Sequence, residues 1–156
     1  MRKIPAPSAD LVRDNTSPEV ARRIRSQTEA SVAACARGGP VAIEQRLGEL
    51  DREWDIERWL ETGAASLSLF GMAMGSTVDR KWFLLPAAIG AFLLQHTMQG
   101  WCPPLPLLRR LGVRTADEIN QERYALKALR GDFAKVPATE APTELSATHA
   151  FKATLH

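Results

Sequence analysis

The apolar residues of the chain are concentrated in residues 59–101, and one charged tripeptide, Asp79-Arg80-Lys81, divides them. Residues 62–78 and 82–101 contain no charged side chain. Because a helix of about 20 mostly apolar residues crosses a hydrocarbon core of about 30 Å, both arms come close to the required length. The pattern therefore predicts a hairpin of two transmembrane helices, residues 59–78 and 82–101.

Tryptophan marks three of the four arm ends, at Trp59, Trp82 and Trp101. Because tryptophan is enriched at both membrane–water interfaces, this placement favours a hairpin in lipid. The alternative is a pair of buried helices in a soluble helical bundle, since shorter apolar runs are ordinary core helices. The first arm is the weaker of the two because it is rich in glycine, serine and threonine, whereas the second is apolar on every face up to Gln95.

Residues 17–58 are expected to form amphipathic helices. Ser17-Pro18-Glu19 has the composition of a helix start, and Gly38-Gly39-Pro40 is expected to end one helix and begin the next. The second of these helices is expected to run without a break into the first arm. Four of its apolar residues recur at spacings of four, three and four, which predicts a stripe that packs on a partner helix: Ile43, Leu47, Leu50 and Trp54.

Residues 102–131 are expected to form an exit loop and one further cytoplasmic helix. Thr115 and Glu118 have the spacing of a capping box, and glycine at position 131 would end the helix that they begin. Three prolines cannot continue the second arm as an α-helix: Pro103, Pro104 and Pro106.

The chain ends are polar, so residues 1–16 and 132–156 are expected to be disordered. No apolar segment follows the basic N-terminus, so no cleavable signal peptide is predicted and the hairpin itself would direct insertion. The sequence as a whole predicts an all-α fold, with a two-helix transmembrane hairpin flanked by amphipathic cytoplasmic helices.

Basic residues lie mostly outside the hairpin. Of the 20 Lys and Arg residues, ten precede Trp59, two lie in the charged tripeptide and eight follow Trp101. By the positive-inside rule, both termini are expected in the cytoplasm and the tripeptide outside. The net charge of +2, with acids and bases interspersed, does not indicate nucleic-acid binding. Cys35 and Cys102 both fall on the predicted cytoplasmic side, where a structural disulfide is not expected.

Cys102 is the candidate reactive group. It lies at the predicted lip of the second arm, and Arg109 and Arg110 follow it in sequence. Nearby positive charge favours a thiolate, whereas the C-terminal end of a helix disfavours one. The alternative role for Cys102 is that of a small packing residue, since free cysteine is commonly buried.

Two further sets of residues are candidates inside the arms. Gly71 and Gly75 have the spacing that lets two membrane helices approach closely. Gln95, His96 and Gln99 form a polar cluster near the predicted cytoplasmic end of the second arm, where ionisable residues are functional candidates. The chain offers too few ligands for a metal site and has no phosphate-binding loop or nucleophile motif. Neither a cofactor nor an enzymatic activity is therefore predicted.

The exit from the hairpin resembles a known family. A two-span hairpin that ends in Gly100-Trp101-Cys102-Pro103 and continues into Leu111-Gly112-Val113-Arg114-Thr115 is similar to the YgaP-like inner-membrane domain family, over roughly residues 55–114. Members of that family are bacterial membrane proteins of unknown function whose hairpin self-associates, and some carry a rhodanese sulfurtransferase domain that this chain lacks. The resemblance implies a bacterial inner-membrane location and association with itself or with another membrane protein.

Three functions remain open at this point. The first is a membrane anchor or assembly module built on the hairpin. The second is a thiol relay at the membrane lip, in which Cys102 takes part in sulfur or redox transfer with a separate sulfurtransferase. The third is a soluble helical domain.

Overall fold

The computed structural model describes residues 8–134, and every regular element in that range is a helix. The predicted all-α class is confirmed. No helix between residues 8 and 134 combines the length and the apolar character that a membrane crossing requires. The described residues form six α-helices, with a 3₁₀ turn, Arg80–Phe83, between the third and the fourth: α1 Ser8–Asp14, α2 Pro18–Leu50, α3 Ile56–Thr77, α4 Leu84–Gln99, α5 Leu105–Arg110 and α6 Ala116–Arg130.

The chain forms two compact units. Among the described residues, the first contains residues 8–26 together with Trp54–Ile119, and the second contains Gln27–Glu53 together with residues 120–134. The first unit holds the α3–α4 hairpin.

A core of five buried residues lies at the open end of the hairpin in the first unit. Val12 from α1 and Leu105 from α5 are fully buried in it, with Leu108 and Val113 packed against the cluster. Its remaining members come from α3 and from the exit segment: Ile56, Leu60 and Cys102. The core therefore fastens α1 and α5 to the base of the hairpin.

In the second unit, a buried carboxylate holds α2 against α6. Glu122 is fully buried and accepts hydrogen bonds from Ser31 Oγ at 2.6 Å and from Arg46 Nε at 2.8 Å. The hydrogen bond from Arg46 to Glu122 outweighs the effect of burial and raises the pKa of Arg46. The Arg123 guanidinium adds a hydrogen bond to the backbone carbonyl of Leu50 at 3.2 Å.

The helix boundaries predicted at Gly38-Gly39, at Thr115 and at Gly131 agree with the structure. Gly39 has φ 75° and interrupts the helical backbone within α2, where the break at Gly38-Gly39 is expected. At the start of α6, the Thr115 backbone N–H donates to Glu118 Oε2 at 2.9 Å and the Glu118 N–H donates to Thr115 Oγ1 at 3.3 Å, which is the predicted capping box. The helix ends at Arg130, directly before Gly131.

The structure differs from the prediction at the start of the chain. Residues Ser8–Asp14 are helical, although they fall in the arm expected to be disordered. The reason is tertiary, because Val12 of this short helix is buried in the core cluster. Residues 1–7 and residues 135–156 of the predicted disordered tail lie outside the described range, whereas residues 132–134 of that tail form a turn after α6.

The prediction that the helix after Pro40 continues without a break into the first arm is also wrong. α2 ends at Leu50, and α3 begins at Ile56, three residues before the predicted start at Trp59. Asp55 begins the new helix because its carboxylate accepts the Arg58 backbone N–H at 2.7 Å, which is an ordinary N-cap.

The exit segment, expected to be a loop, contains the short helix α5. It starts directly after Pro104, and Pro106 lies in its first turn, where a missing backbone donor costs nothing. Gly100 ends α4 with φ 69°, and a Cβ there would lie 2.6 Å from the backbone carbonyl carbon of Leu11. Glycine is therefore required at this position both by the left-handed backbone and by the close approach of α1.

Candidate functional site

The two helices of the hairpin contact each other through small residues. A Cβ at Gly71 would lie 2.8 Å from Cδ of Pro86, and a Cβ at Gly75 would lie 2.9 Å from the ring of Phe83. The two glycines that the sequence singles out thus lie where α3 meets α4 and the 3₁₀ turn, and they allow an approach that any larger residue would prevent.

Large apolar side chains of the hairpin point away from this contact. Leu69, Leu84 and Met98 are each about 70% exposed. The buried residues of α3 form one narrow stripe, and His96 is the buried residue of α4. Exposed large apolar residues occur along the whole hairpin: Trp59, Leu67, Leu69, Phe70, Met72, Val78, Leu84, Phe92, Leu94 and Met98. A water-soluble helix pair has the opposite arrangement, with large apolar residues inside and polar residues outside.

Polar and aromatic groups cap the closed end of the hairpin. The Asp79 carboxylate accepts the Lys81 backbone N–H at 2.9 Å and begins the 3₁₀ turn. Trp82 packs edge-on against Phe70, with ring centroids 5.8 Å apart. The charged tripeptide therefore forms a tight turn with an aromatic pair directly beneath it.

At the open end, Trp54 and Trp59 form a second aromatic pair, and Arg58 stacks on it. The rings of Trp54 and Trp59 lie 5.3 Å apart, and the Arg58 guanidinium stacks over Trp54 at 4.3 Å. Trp54 packs on Trp59 and lies beyond the end of α2 at Leu50, so it does not continue the apolar stripe predicted for that helix. The other three residues of that stripe, Ile43, Leu47 and Leu50, are buried in the monomer and offer no free surface.

An apolar groove of about 590 Å³ opens between α3, α4 and α5. It runs along α3 from Trp59 to Leu67, with Gly63 on its wall, where an added Cβ would meet nothing within 4 Å. Its lining contains no charged residue: Trp59, Leu60, Gly63, Ala64, Leu67, Ile89, Phe92, Leu93, Cys102, Pro103, Pro104, Leu107 and Leu108.

Cys102 lines this groove and is only 4% exposed. Burial raises the pKa of the Cys102 thiol, and the hydrogen bond from the Leu105 backbone offsets this only in part. The thiol is therefore held in its neutral form, which is a poor nucleophile. This environment is that of a packing residue.

The two arginines that could activate Cys102 are placed elsewhere. Arg109 is 2% exposed, and its guanidinium donates to Glu118, to Thr16 Oγ1 at 3.0 Å and to the Val113 carbonyl at 2.9 Å. Arg110 lies on the exposed side of α5, and its backbone carbonyl accepts from Arg23. The expectation that Arg109 favours a Cys102 thiolate is not supported, because Arg109 is committed to these partners.

The predicted polar cluster is not assembled into one site. His96 is 6% exposed, and neither of its ring nitrogens has a hydrogen-bond partner within residues 8–134. Gln95 is half-buried, whereas Gln99 is exposed and its backbone carbonyl accepts from Asn15 Nδ2 at 2.9 Å. In the same range, no group of three His, Cys, Asp or Glu side chains is arranged to hold a metal ion.

Three features of the first unit are not predicted by the sequence: the buried Val12, the Arg109–Glu118 pair and the groove. Val12 carries a weak local signal, as one apolar residue in a polar arm. The other two features depend on residues from separate helices and have no local pattern. Comparison with known proteins adds no further residue, since no family model, curated protein or solved structure matches this chain.

Proposed function

We propose that the α3–α4 hairpin anchors this protein in a lipid bilayer. The observation that carries the proposal is the reversed packing of the hairpin, with glycines at the helix contact and many large apolar side chains exposed along both helices. Large exposed apolar patches are rare on soluble monomers and mark protein or membrane interaction sites. In lipid this arrangement is the expected one, because small residues let helices approach and large ones contact acyl chains.

The dimensions of the hairpin suit a bilayer. Counted from Trp59, which the proposal places at the interface, residues 59–77 of α3 correspond at 1.5 Å per residue to about 28 Å, close to the hydrocarbon thickness of about 30 Å. Counted from Trp82 at the other interface, the end of the 3₁₀ turn and α4 run to Gln99 and give a similar length, about 28 Å, because a 3₁₀ helix rises about 2.0 Å per residue. The proposal concerns the hairpin as a unit rather than either helix alone.

The orientation follows from the ends of the hairpin. The short turn at Asp79-Arg80-Lys81 would face outside, and the basic residues on both flanks would hold the two termini in the cytoplasm. Trp82 at one end and the Trp54–Trp59 pair at the other would lie at the two interfaces. With the resemblance to the YgaP-like family, this favours a bacterial inner-membrane anchor or assembly module that associates with itself or with another membrane protein.

Fractionation tests the proposal. A reporter fused after Arg130 should remain with the membrane pellet when bacterial membranes are washed with alkaline carbonate, and the reporter alone should be released. Release of the fusion protein by carbonate would remove the anchor function. A monodisperse chain purified without detergent would support the soluble helical domain instead.

The thiol-relay function has no comparable support. Such a relay needs an accessible thiolate, and burial raises the pKa of Cys102 while Arg109 is engaged by Glu118.

A further inference from the structure

We propose that His96 is a proton-sensitive switch, which keeps α1 docked at the open end of the hairpin while its ring is neutral and releases α1 when the ring is protonated. The inference goes beyond the proposed anchor and does not depend on it, because the chain's own helices bury His96. Three observations support it: the enclosure of the ring, the packing of α1 on the same face of α4, and a carboxylate on the facing helix.

The imidazole of His96 is enclosed without a hydrogen-bond partner. It is 6% exposed, and within residues 8–134 neither ring nitrogen donates or accepts a hydrogen bond. A neutral imidazole leaves one donor and one acceptor unpaired, whereas an imidazolium would leave two donors and a net charge. Because an unpaired buried charge costs far more than an unpaired buried dipole, protonation favours any arrangement that returns the ring to water.

α1 is the element that this rearrangement would displace. His96 and Gly100 are four residues apart and therefore lie on the same face of α4. α1 packs on this face, since a Cβ at Gly100 would lie 2.6 Å from the backbone carbonyl carbon of Leu11, and Asn15 Nδ2 donates to the last carbonyl of α4 at 2.9 Å. Because α1 has seven residues and adds one side chain, Val12, to the core cluster, it can leave while the hairpin stays folded.

Glu57 provides a partner for the protonated ring. It precedes Gly75 by about five helical turns of 3.6 residues, so it lies on the side of α3 that faces α4. Among the described charged side chains, the Glu57 carboxylate is the one whose charge acts on His96. An imidazolium that leaves its enclosure can therefore form an ion pair with Glu57 in the released state.

The other charged groups close to this end of α4 lie outside the enclosure. Arg13 and Asp14 of α1 are exposed, as is Glu61, one turn further along α3, and residues 100–104 contain no charged side chain. Release of α1 is therefore coupled to the uptake of one proton by His96. The ordinary pKa of an exposed histidine is about 6.5, so α1 is docked above that pH, and each unit below it should raise the ratio of released to docked α1 by up to about tenfold.

Hydrogen exchange of the α1 amides measures the release. The full chain in mild detergent is exchanged from about pH 8 to about pH 5, on both sides of the ordinary histidine pKa, and the rates are corrected for the intrinsic pH dependence of exchange. The Arg109–Glu118 pair stays charged over this range, because the pKa of Glu118 lies below 4.5. Protection of residues 8–16 should fall by up to about tenfold for each pH unit below about 6.5, while protection of residues 120–130 in α6 stays constant.

The decisive variant is His96→Leu, which fills the same space with a side chain that does not titrate. It should remove the pH dependence of α1 protection, whatever its effect on the stability of the fold. The matched control is His149→Gln, a histidine outside the described range, which should keep the wild-type dependence. Constant α1 protection in the wild type, or the wild-type dependence in His96→Leu, would overturn the proposal. An equal loss of protection in residues 120–130 would also overturn it, because it would report unfolding of the whole chain.

A second pair of variants tests the ion pair while His96 is kept. Glu57→Gln should move the onset of release to lower pH, because the protonated ring loses its partner. Glu61→Gln, which removes an exposed carboxylate one turn away, should leave the onset unchanged. Equal onsets in the two variants would contradict the pairing of protonated His96 with Glu57. None of these measurements uses membrane partition, so failure of the switch and failure of the anchor are separate outcomes.

Discussion

The guanidinium of Arg109 and the carboxylate of Glu118 form a bidentate ion pair, with both N···O distances at 2.7 Å. The same carboxylate accepts the Thr115 backbone N–H, and the same guanidinium reaches Thr16 at the end of α1. One ion pair thus joins α1, α5 and the start of α6 beside the open end of the hairpin. It maintains the position of α5, which forms one wall of the groove.

We expect Arg109→Met to destabilise the first unit. Removing one member of a buried ion pair leaves the other without compensation, which costs about 3 kcal/mol at the low end of the range for buried pairs. The control is Arg110→Met on the exposed side of the same helix, where a change within about 0.5 kcal/mol is expected. Denaturant unfolding in mild detergent, followed by tryptophan fluorescence, measures both. Equal stability of the two variants would show that the pair contributes little.

The Arg109–Glu118 pair also predicts a dependence of stability on pH. Burial acts to raise the pKa of Glu118, but the hydrogen bonds from Arg109 and the Thr115 backbone and the charges of Arg109 and Arg114 outweigh it, so the pKa lies below its ordinary value of 4.5. As the pH falls, the unfolded chain therefore binds a proton before the folded chain does. The stabilisation should be complete above the unfolded-state pKa and lost as the pH falls through the folded-state pKa.

The comparison for this pH dependence is Glu118→Gln, which keeps the shape of the side chain but does not titrate. Unfolding curves of the wild type and the variant should converge as the pH falls below 4.5. A constant difference between the two chains across the acidic range would contradict the assigned pKa direction.

Gly75→Ala should loosen the hairpin. The added Cβ would lie 2.9 Å from the Phe83 ring, and relieving such a contact costs about 1–3 kcal/mol. Gly90→Ala should instead be neutral or stabilising by up to about 1 kcal/mol, because the site is open and alanine favours a helix. Thermal unfolding in micelles, followed by circular dichroism, measures both changes. If Gly75→Ala is as stable as Gly90→Ala, the two arms do not pack as described.

Cys102 should react slowly with a thiol reagent. Because burial raises its pKa above the ordinary value of 9.0, native Cys102 should alkylate far more slowly than the same thiol in the unfolded chain at neutral pH. The rates are measured on Cys35→Ser, in which Cys102 is the remaining cysteine. Rapid native alkylation, with a pH midpoint below 9.0, would restore the thiol-relay function.

Much of the helical pattern is readable from local sequence. The capping box at Thr115, the break at Gly39 and the charged turn before Trp82 are each encoded within a few residues, because caps, left-handed glycines and charge interruptions act locally. The close contact at Gly71 and Gly75 also follows from their spacing, since small residues four apart lie on nearly the same face of a helix.

The remainder depends on contacts between distant segments. Ser8–Asp14 is helical because Val12 enters a core made by α3, the exit segment and α5. The place of Arg109 next to Glu118 and Thr16, rather than close to Cys102, is set by how α5 turns after Pro104. Neither the burial of Val12 nor the partners of Arg109 leave a repeating pattern in the sequence. The environment of Cys102 could therefore not be predicted from its neighbours in the chain.

The most direct measurement of the central claim, that lipid surrounds the hairpin, is membrane partition of Leu69→Asp/Leu94→Asp. Both leucines are more than 60% exposed. In water the substitution would be harmless, whereas in lipid each Asp near a helix centre costs about 2.5–3.5 kcal/mol. The proposed anchor predicts that the double variant leaves the carbonate-resistant pellet, while the wild type and Leu129→Asp, a half-exposed leucine of α6, stay in it. Equal partition of all three chains into the aqueous fraction would contradict the anchor.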